Sequence, residues 1–222
     1  MNGEKLRTIT PDMLAADPFR PAHVDFEKGM SQAPAFALGL IAVNAAAYVW
    51  ELKTGALSDV HTVIASGAIY GAKVFGGQSW RLLTGMFLHA SLGHLLGNCL
   101  ALYMVGLAAE QAWGRWRSLL IYLLSGLAAG FASAFMETRP SIGASGAVFG
   151  LLGAVMAFFF RYGNSFYARN RRVGNFLIAW GLLQLWLGGM DRHVDNWAHL
   201  GGFLSGAVIG YYAPTRFFRR RA

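Results

Sequence analysis

Charged residues fall at long intervals along this chain, and most stretches between them are apolar. Marking the chain at its charges leaves six uncharged runs: Gly29 to Trp50, Leu82 to Ala109, Ser118 to Met136, Pro140 to Phe160, Val173 to Met190 and Asn196 to Thr215. Each is near or above the roughly 20 residues that a helix needs to cross a hydrocarbon core. The pattern predicts six spanning helices. The region between the first two, Glu51 to Arg81, reads differently. It carries Lys53, Asp59, His61, Lys73 and several glycines, and its apolar stretch, Val63 to Ala72, is too short to span. It predicts a long loop lying partly in the membrane interface, with short helical pieces. Trp80 at its end suits that interface.

Composition sharpens the class. Hydrophobic residues make up 55% of the 222 and charged residues only 14%, with mean hydropathy +0.39. Soluble domains carry about 25% charged residues. Disorder is excluded, because so much apolar surface collapses. One cysteine, Cys99, excludes a disulfide framework and a cysteine-rich metal site. The net charge of +8 is not a nucleic-acid signal, because the basic residues punctuate apolar runs as topology signals do. With the N-terminus inside, 14 of the 19 lysines and arginines lie on the side of both termini. Five (Lys53, Lys73, Arg81, Arg139 and Arg192) lie on the other. Both termini are therefore expected in the cytoplasm. Residues 1–30 are polar and predict a poorly ordered tail with neither a signal peptide nor a transit peptide. Residues 31–215 are expected to form the six-helix domain, and 216–222 a basic tail. The expected fold is an all-α polytopic membrane bundle. No internal repeat is present, which weighs against a transporter.

Polar groups inside spans are functional candidates, and they concentrate in three places. Gly143-Ala144-Ser145-Gly146 lies near the outer end of the fourth run. Alone it reads more readily as a small-residue packing motif. Ala198-His199-Leu200-Gly201-Gly202 opens the sixth. Gly202, Gly206 and Gly210 repeat every four residues there, and Gly146, Gly150 and Gly153 form a similar series in the fourth. Two such faces predict backbone-to-backbone packing that brings Ser145 and His199 to one depth. The third place is His89 to Asn98, where His94 and Asn98 share a helical face. A metal site is the competing reading, but the spacing of His89 and His94 suits it poorly. Together the three places hold the parts of an acyl-transfer site. Ser145 is a candidate nucleophile and His199 its base. His94, Asn98 and the Ser145 backbone N–H are candidate oxyanion donors. Asp191 and Asp195 precede His199 as possible third members, and a two-residue dyad is the simpler arrangement.

These motifs resemble those of the rhomboid family of intramembrane serine proteases. The resemblance covers about residues 35 to 215. It rests on Gly143-x-Ser145-Gly146, on Ala198-His199 with Gly202 and Gly206, on His94 with Asn98, on Trp80-Arg81, and on Glu110 at the inner end of the second run. It implies a six-transmembrane-helix rhomboid bundle with a long interfacial loop between the first two helices. It implies Ser145 as nucleophile, His199 as base, and His94 with Asn98 at the oxyanion. Gly143 matches a glycine that turns the backbone near the site. Phe149 matches an aromatic set against the catalytic histidine, and ordinary core packing is its alternative. His89 matches a structural position, as do Arg81 and Glu110. The implied substrates are transmembrane proteins cut in or near a helix that unwinds locally. His89, His94, His199 and Asn98 would line a polar cavity open to the outer face. No cofactor, metal or nucleic acid is implied. The expected location is a bacterial cytoplasmic (inner) membrane. A non-catalytic relative that binds transmembrane clients is the rival reading.

Overall fold

The computed structural model describes residues 23–190 and 194–218. Their regular elements are all helices, with no strand among the described residues. Helix α1 (Ala35–Thr54) is followed by three short helices, α2 (Val60–Ala65), α3 (Gly71–Val74) and α4 (Arg81–Thr84). Five long helices complete the chain: α5 (Leu92–Trp113), α6 (Arg115–Met136), α7 (Ser145–Tyr162), α8 (Ala168–Met190) and α9 (Asn196–Tyr212). Among the described residues, four stretches, α1, α5, α6 and Ser145–Ser165, are long and apolar enough to cross a membrane.

The second uncharged run is not one helix. Leu82 to Ala109 breaks into the end of α4, a 3-10 turn over Gly85–Phe87, an extended Leu88, and then α5, which starts only at Leu92. Ser91 causes the restart. Its Oγ accepts the His94 N–H at 3.1 Å, supplying one of the partners that a helix start lacks. Pro140 to Ala144 likewise stays outside α7. The first run is displaced too: α1 begins at Ala35 and closes on Gly55, whose φ of 71° ends the helix without a Cβ penalty.

The region between α1 and α5 is built around Arg81. Its guanidinium is buried and donates to the carbonyls of Ile64 and Ala68 and to Gln78 Oε1. Thr84 Oγ1 donates to Gly67 O at 2.8 Å. The exposed Trp80 ring lies under Arg81, 4.6 Å from its centroid. One arginine thereby satisfies carbonyls that three-dimensional folding of a loop would otherwise leave unpaired.

The end of the bundle away from Ser145 is closed by aromatic rings. Phe26 is fully buried against Phe158, Phe159, Phe166 and Phe217. Its N–H donates to Asn170 Oδ1, and its carbonyl accepts from Gln111 Nε2 at 2.7 Å. Residues 24–30, which composition assigns to a tail, are thus docked on the bundle. Phe217 and Phe218, which composition assigns to the other tail, pack on the same cluster. Asp25 binds Arg169 and Asn170. Partial desolvation pushes its pKa up, but these partners outweigh it and hold the carboxyl below its usual range. The rest of both predicted tails, residues 1–22 and 219–222, lies outside the described residues. Glu110 caps the start of α1 by accepting the Phe36 N–H at 3.2 Å.

Helix α9 packs chiefly on α7 and α6. A Cβ placed on Gly202 would strike the Gly146 carbonyl, and one on Gly206 the Gly150 backbone. One on Gly210 would lie 2.5 Å from Ala154 Cα. The two helices meet backbone to backbone, as the glycine spacing predicts. In lipid, where burying apolar surface between helices is no gain, such close packing supplies the attraction. Gly206→Val should therefore lower the midpoint of thermal unfolding in detergent, at a cost of about 1–3 kcal/mol or more. Gly97→Ala, on an open face of α5, should leave the midpoint unchanged or slightly higher. Equal midpoints for the two variants would contradict tight α7–α9 packing.

Candidate active site

Three helix starts converge at one end of the bundle. Ser145 is the first residue of α7, and His199 lies in the first turn of α9. Asp195 sets that turn: its Oδ1 accepts the Ala198 N–H at 2.9 Å and its carbonyl accepts the His199 N–H. His94 occupies the first turn of α5, fixed by the Ser91 cap, and Asn98 follows one turn later.

Ser145 Oγ and His199 Nε2 are 2.8 Å apart, within hydrogen-bond distance. His199 is buried, and Phe149 stacks on its ring at 4.2 Å with an interplanar angle of 19°. Imidazole so clamped presents one nitrogen to the serine. If the hydroxyl donates to Nε2, the proton sits on Nδ1. Nδ1 is buried without a partner, and so is Asp195 Oδ2. Asp195 therefore serves as a helix cap and not as the third member of a triad. Asp191 lies outside the described residues.

The strap before Ser145 is pinned from two sides. Ser141 and Ile69 exchange both backbone hydrogen bonds, and Gly143 N–H donates to Gly85 O at 2.9 Å. Gly143 has φ of 130°, a region that residues with a Cβ rarely enter. A Cβ there would also lie 2.8 Å from His94 Nε2 and 3.7 Å from Asn98 Nδ2. His94 and Asn98 thus reach the space beside Gly143, and Asn98 Nδ2 is a buried donor with no partner. The Ser145, Gly146 and Ala147 N–H groups open α7 and have no partner within the helix, so the positive end of its dipole faces the same space. Unused donors around a nucleophile–base pair can stabilise developing negative charge.

His89 stands behind His94, with ring centroids 5.2 Å apart. It lies in the link before α5 and is fully buried. Burial first, and the neighbouring His94 second, pull its pKa down to about 4, so it is neutral and its Nδ1–H donates to Phe87 O at 3.0 Å. Its backbone N–H donates to the Glu51 carboxylate at 3.1 Å. Glu51 is buried at the end of α1. The sequence reading missed it, because a charge at the edge of an apolar run looks like a span boundary. Among the described residues, no group of three His, Cys, Asp or Glu side chains could hold a metal ion.

Comparison with known proteins now adds to this geometry. Residues 76–216 match the Rhomboid domain family. The chain belongs to the rhomboid family. It is 35% identical over 191 residues to the Rhomboid protease GluP of Bacillus subtilis, covering 84% of this chain and 37% of that protein. It is 42% identical over 139 residues to RHOMBOID-like protein 1 of Arabidopsis thaliana, covering 60% of this chain and 34% of that one. It is 29% identical over 202 residues to the Rhomboid protease AarA of Providencia stuartii, covering 79% and 71%. The chain spans about a third of the length of the first two. With its apolar helices, this rhomboid is an integral membrane protein.

Two variants of this rhomboid probe the site's scaffold. Gly143→Ala should lower stability by about 1–3 kcal/mol in thermal unfolding, since a φ of 130° strains a residue with a Cβ and the new methyl displaces His94. Glu51→Ala should lower stability by about 1–3 kcal/mol, the cost of an unpaired buried N–H. Glu51→Gln, which keeps an acceptor, should recover most of that loss in thermal unfolding.

Proposed function

We propose that this rhomboid is a serine endopeptidase that hydrolyses peptide bonds in or near transmembrane segments. The reading is carried by the 2.8 Å contact between Ser145 Oγ and His199 Nε2 within a family that includes named proteases. Ser145 Oγ attacks the scissile carbonyl carbon and gives its proton to His199 Nε2. The carbonyl oxygen becomes an oxyanion facing Asn98 Nδ2, His94 and the N–H groups that open α7. Collapse breaks the C–N bond, and His199 returns the proton to the leaving amine. Water then attacks the Ser145 ester with His199 again as base. The second fragment departs as an acid and Ser145 is restored. Phe149 holds the imidazole in plane for both transfers.

The substrate segment must be unwound at the cut, because a helical peptide bond is shielded by its own hydrogen bonds. Six crossings, with both termini in the cytoplasm and the site near the outer side of a bacterial inner membrane, complete the proposal. The reading as a client-binding relative without catalysis has no observation of its own, since both candidate reacting groups are present and in contact.

The test is cleavage of a tagged model transmembrane substrate in liposomes. Wild type should cut. Ser145→Ala and His199→Ala should be silent. Asn98→Ala should lose about 10²–10³ in kcat, the scale of one oxyanion donor. Equal cleavage by all four proteins would place the chemistry elsewhere.

A further inference from the structure

Two cavities remote from Ser145 meet at a single side chain. The larger, about 660 Å³, lies between α7, α8 and α9 in the half of the bundle away from Ser145. Its wall is apolar, with Met156 and Phe160 from α7, Ile178 from α8, and Val208 from α9. The smaller, about 460 Å³, is polar and is lined by His23, Asn164 and Tyr167. Arg171 borders both.

An apolar cavity joined to a polar one through an arginine has the form of an amphiphile. The larger volume is in the range of a small-molecule site. Its wall is mostly apolar, with Asn175, Tyr211 and Tyr212 as its polar side chains, while the lip offers a guanidinium that matches phosphate geometry. The charge balance selects an anion. The ion pairs of the described residues are Arg139–Glu137 and Arg169–Asp25. Among the described residues, Asp25 reaches this end of α8, and Arg169 and Asn170 already engage it. Arg161 bonds the Tyr211 carbonyl and lies over the Tyr162 and Tyr211 rings. Arg171 and Arg172 are exposed and have no carboxylate partner among the described residues.

We propose that this α7–α8–α9 cavity binds one anionic glycerophospholipid, with an acyl chain along Phe160, Ile178 and Val208 and the phosphate against Arg171. The site is separate from the Ser145 chemistry and stands whether or not the chain is a protease. Its occupant would fill the wedge that α8 leaves against α7 and α9.

Native mass spectrometry of the full chain in detergent tests this, with phosphatidylglycerol and phosphatidylcholine of matched acyl chains as probes. Wild type should retain one phosphatidylglycerol, bound about tenfold more tightly than phosphatidylcholine, the scale of one charge-assisted hydrogen bond. Arg171→Gln should abolish the preference and Arg171→Lys should keep most of it. Val208→Trp, which fills the cavity from an exposed position, should lose both lipids. Arg117→Gln, in the first turn of α6, should match wild type. Added phosphatidylglycerol should also raise the unfolding midpoint of wild type and not of Arg171→Gln. Equal retention of the two lipids by wild type, unchanged selectivity in Arg171→Gln, or adducts accumulating beyond one with no first step would overturn the assignment.

Discussion

The close approach of α7 and α9 is the constraint on which the rest depends. Ser145 and His199 sit 54 positions apart on different helices, and a hydrogen bond between them tolerates only a few tenths of an ångström. The glycines at 146, 150, 202 and 206 remove the side chains that would hold the two backbones apart. A single methyl on this seam moves one helix relative to the other, and the distance between the two candidate reacting groups moves with it. Packing energy and the proposed chemistry are therefore set by the same residues, in a bilayer where apolar burial between helices is no driving force.

A second rule organises the site. Its polar side chains are placed by helix starts. Ser91 and Asp195 cap α5 and α9, so His94 and His199 fall in first turns, and α7 begins at Ser145 itself. A first turn carries free N–H groups and the positive end of the dipole. It is also where the chain can leave helical geometry without exposing backbone to lipid. Gly143 and the strap held by Ile69 and Gly85 use that freedom to bring α7 in beside His94 and Asn98. The loop between α1 and α5 is thus a working part of the site's frame, tied together by Arg81 beneath and by the Glu51–His89 contact behind.

Much of this was legible in the chain. The candidate site residues are rare polar groups in an apolar sequence, so Ser145, His199, His94 and Asn98 stand out, and a four-residue glycine period reports its own partner face. Other features were hidden for physical reasons. Apolarity alone does not separate helix from extended chain, so the break at Leu88 needed the Ser91 cap to be seen. Phe26 sits in a polar segment, and its aromatic partners lie more than a hundred residues away. Glu51 reads as an edge charge in the sequence, although it is buried. Asp195 is close to His199 in sequence, yet its geometry makes it a cap and leaves Nδ1 of the imidazole without a partner.

The most direct test of the central claim, that α7–α9 packing makes Ser145 reactive through His199, is covalent labelling with a fluorophosphonate, read by peptide mass spectrometry. The account predicts one adduct per chain, on Ser145, formed by wild type and absent from His199→Ala. Labelling of a different serine, or undiminished labelling of Ser145 without the imidazole, would contradict it.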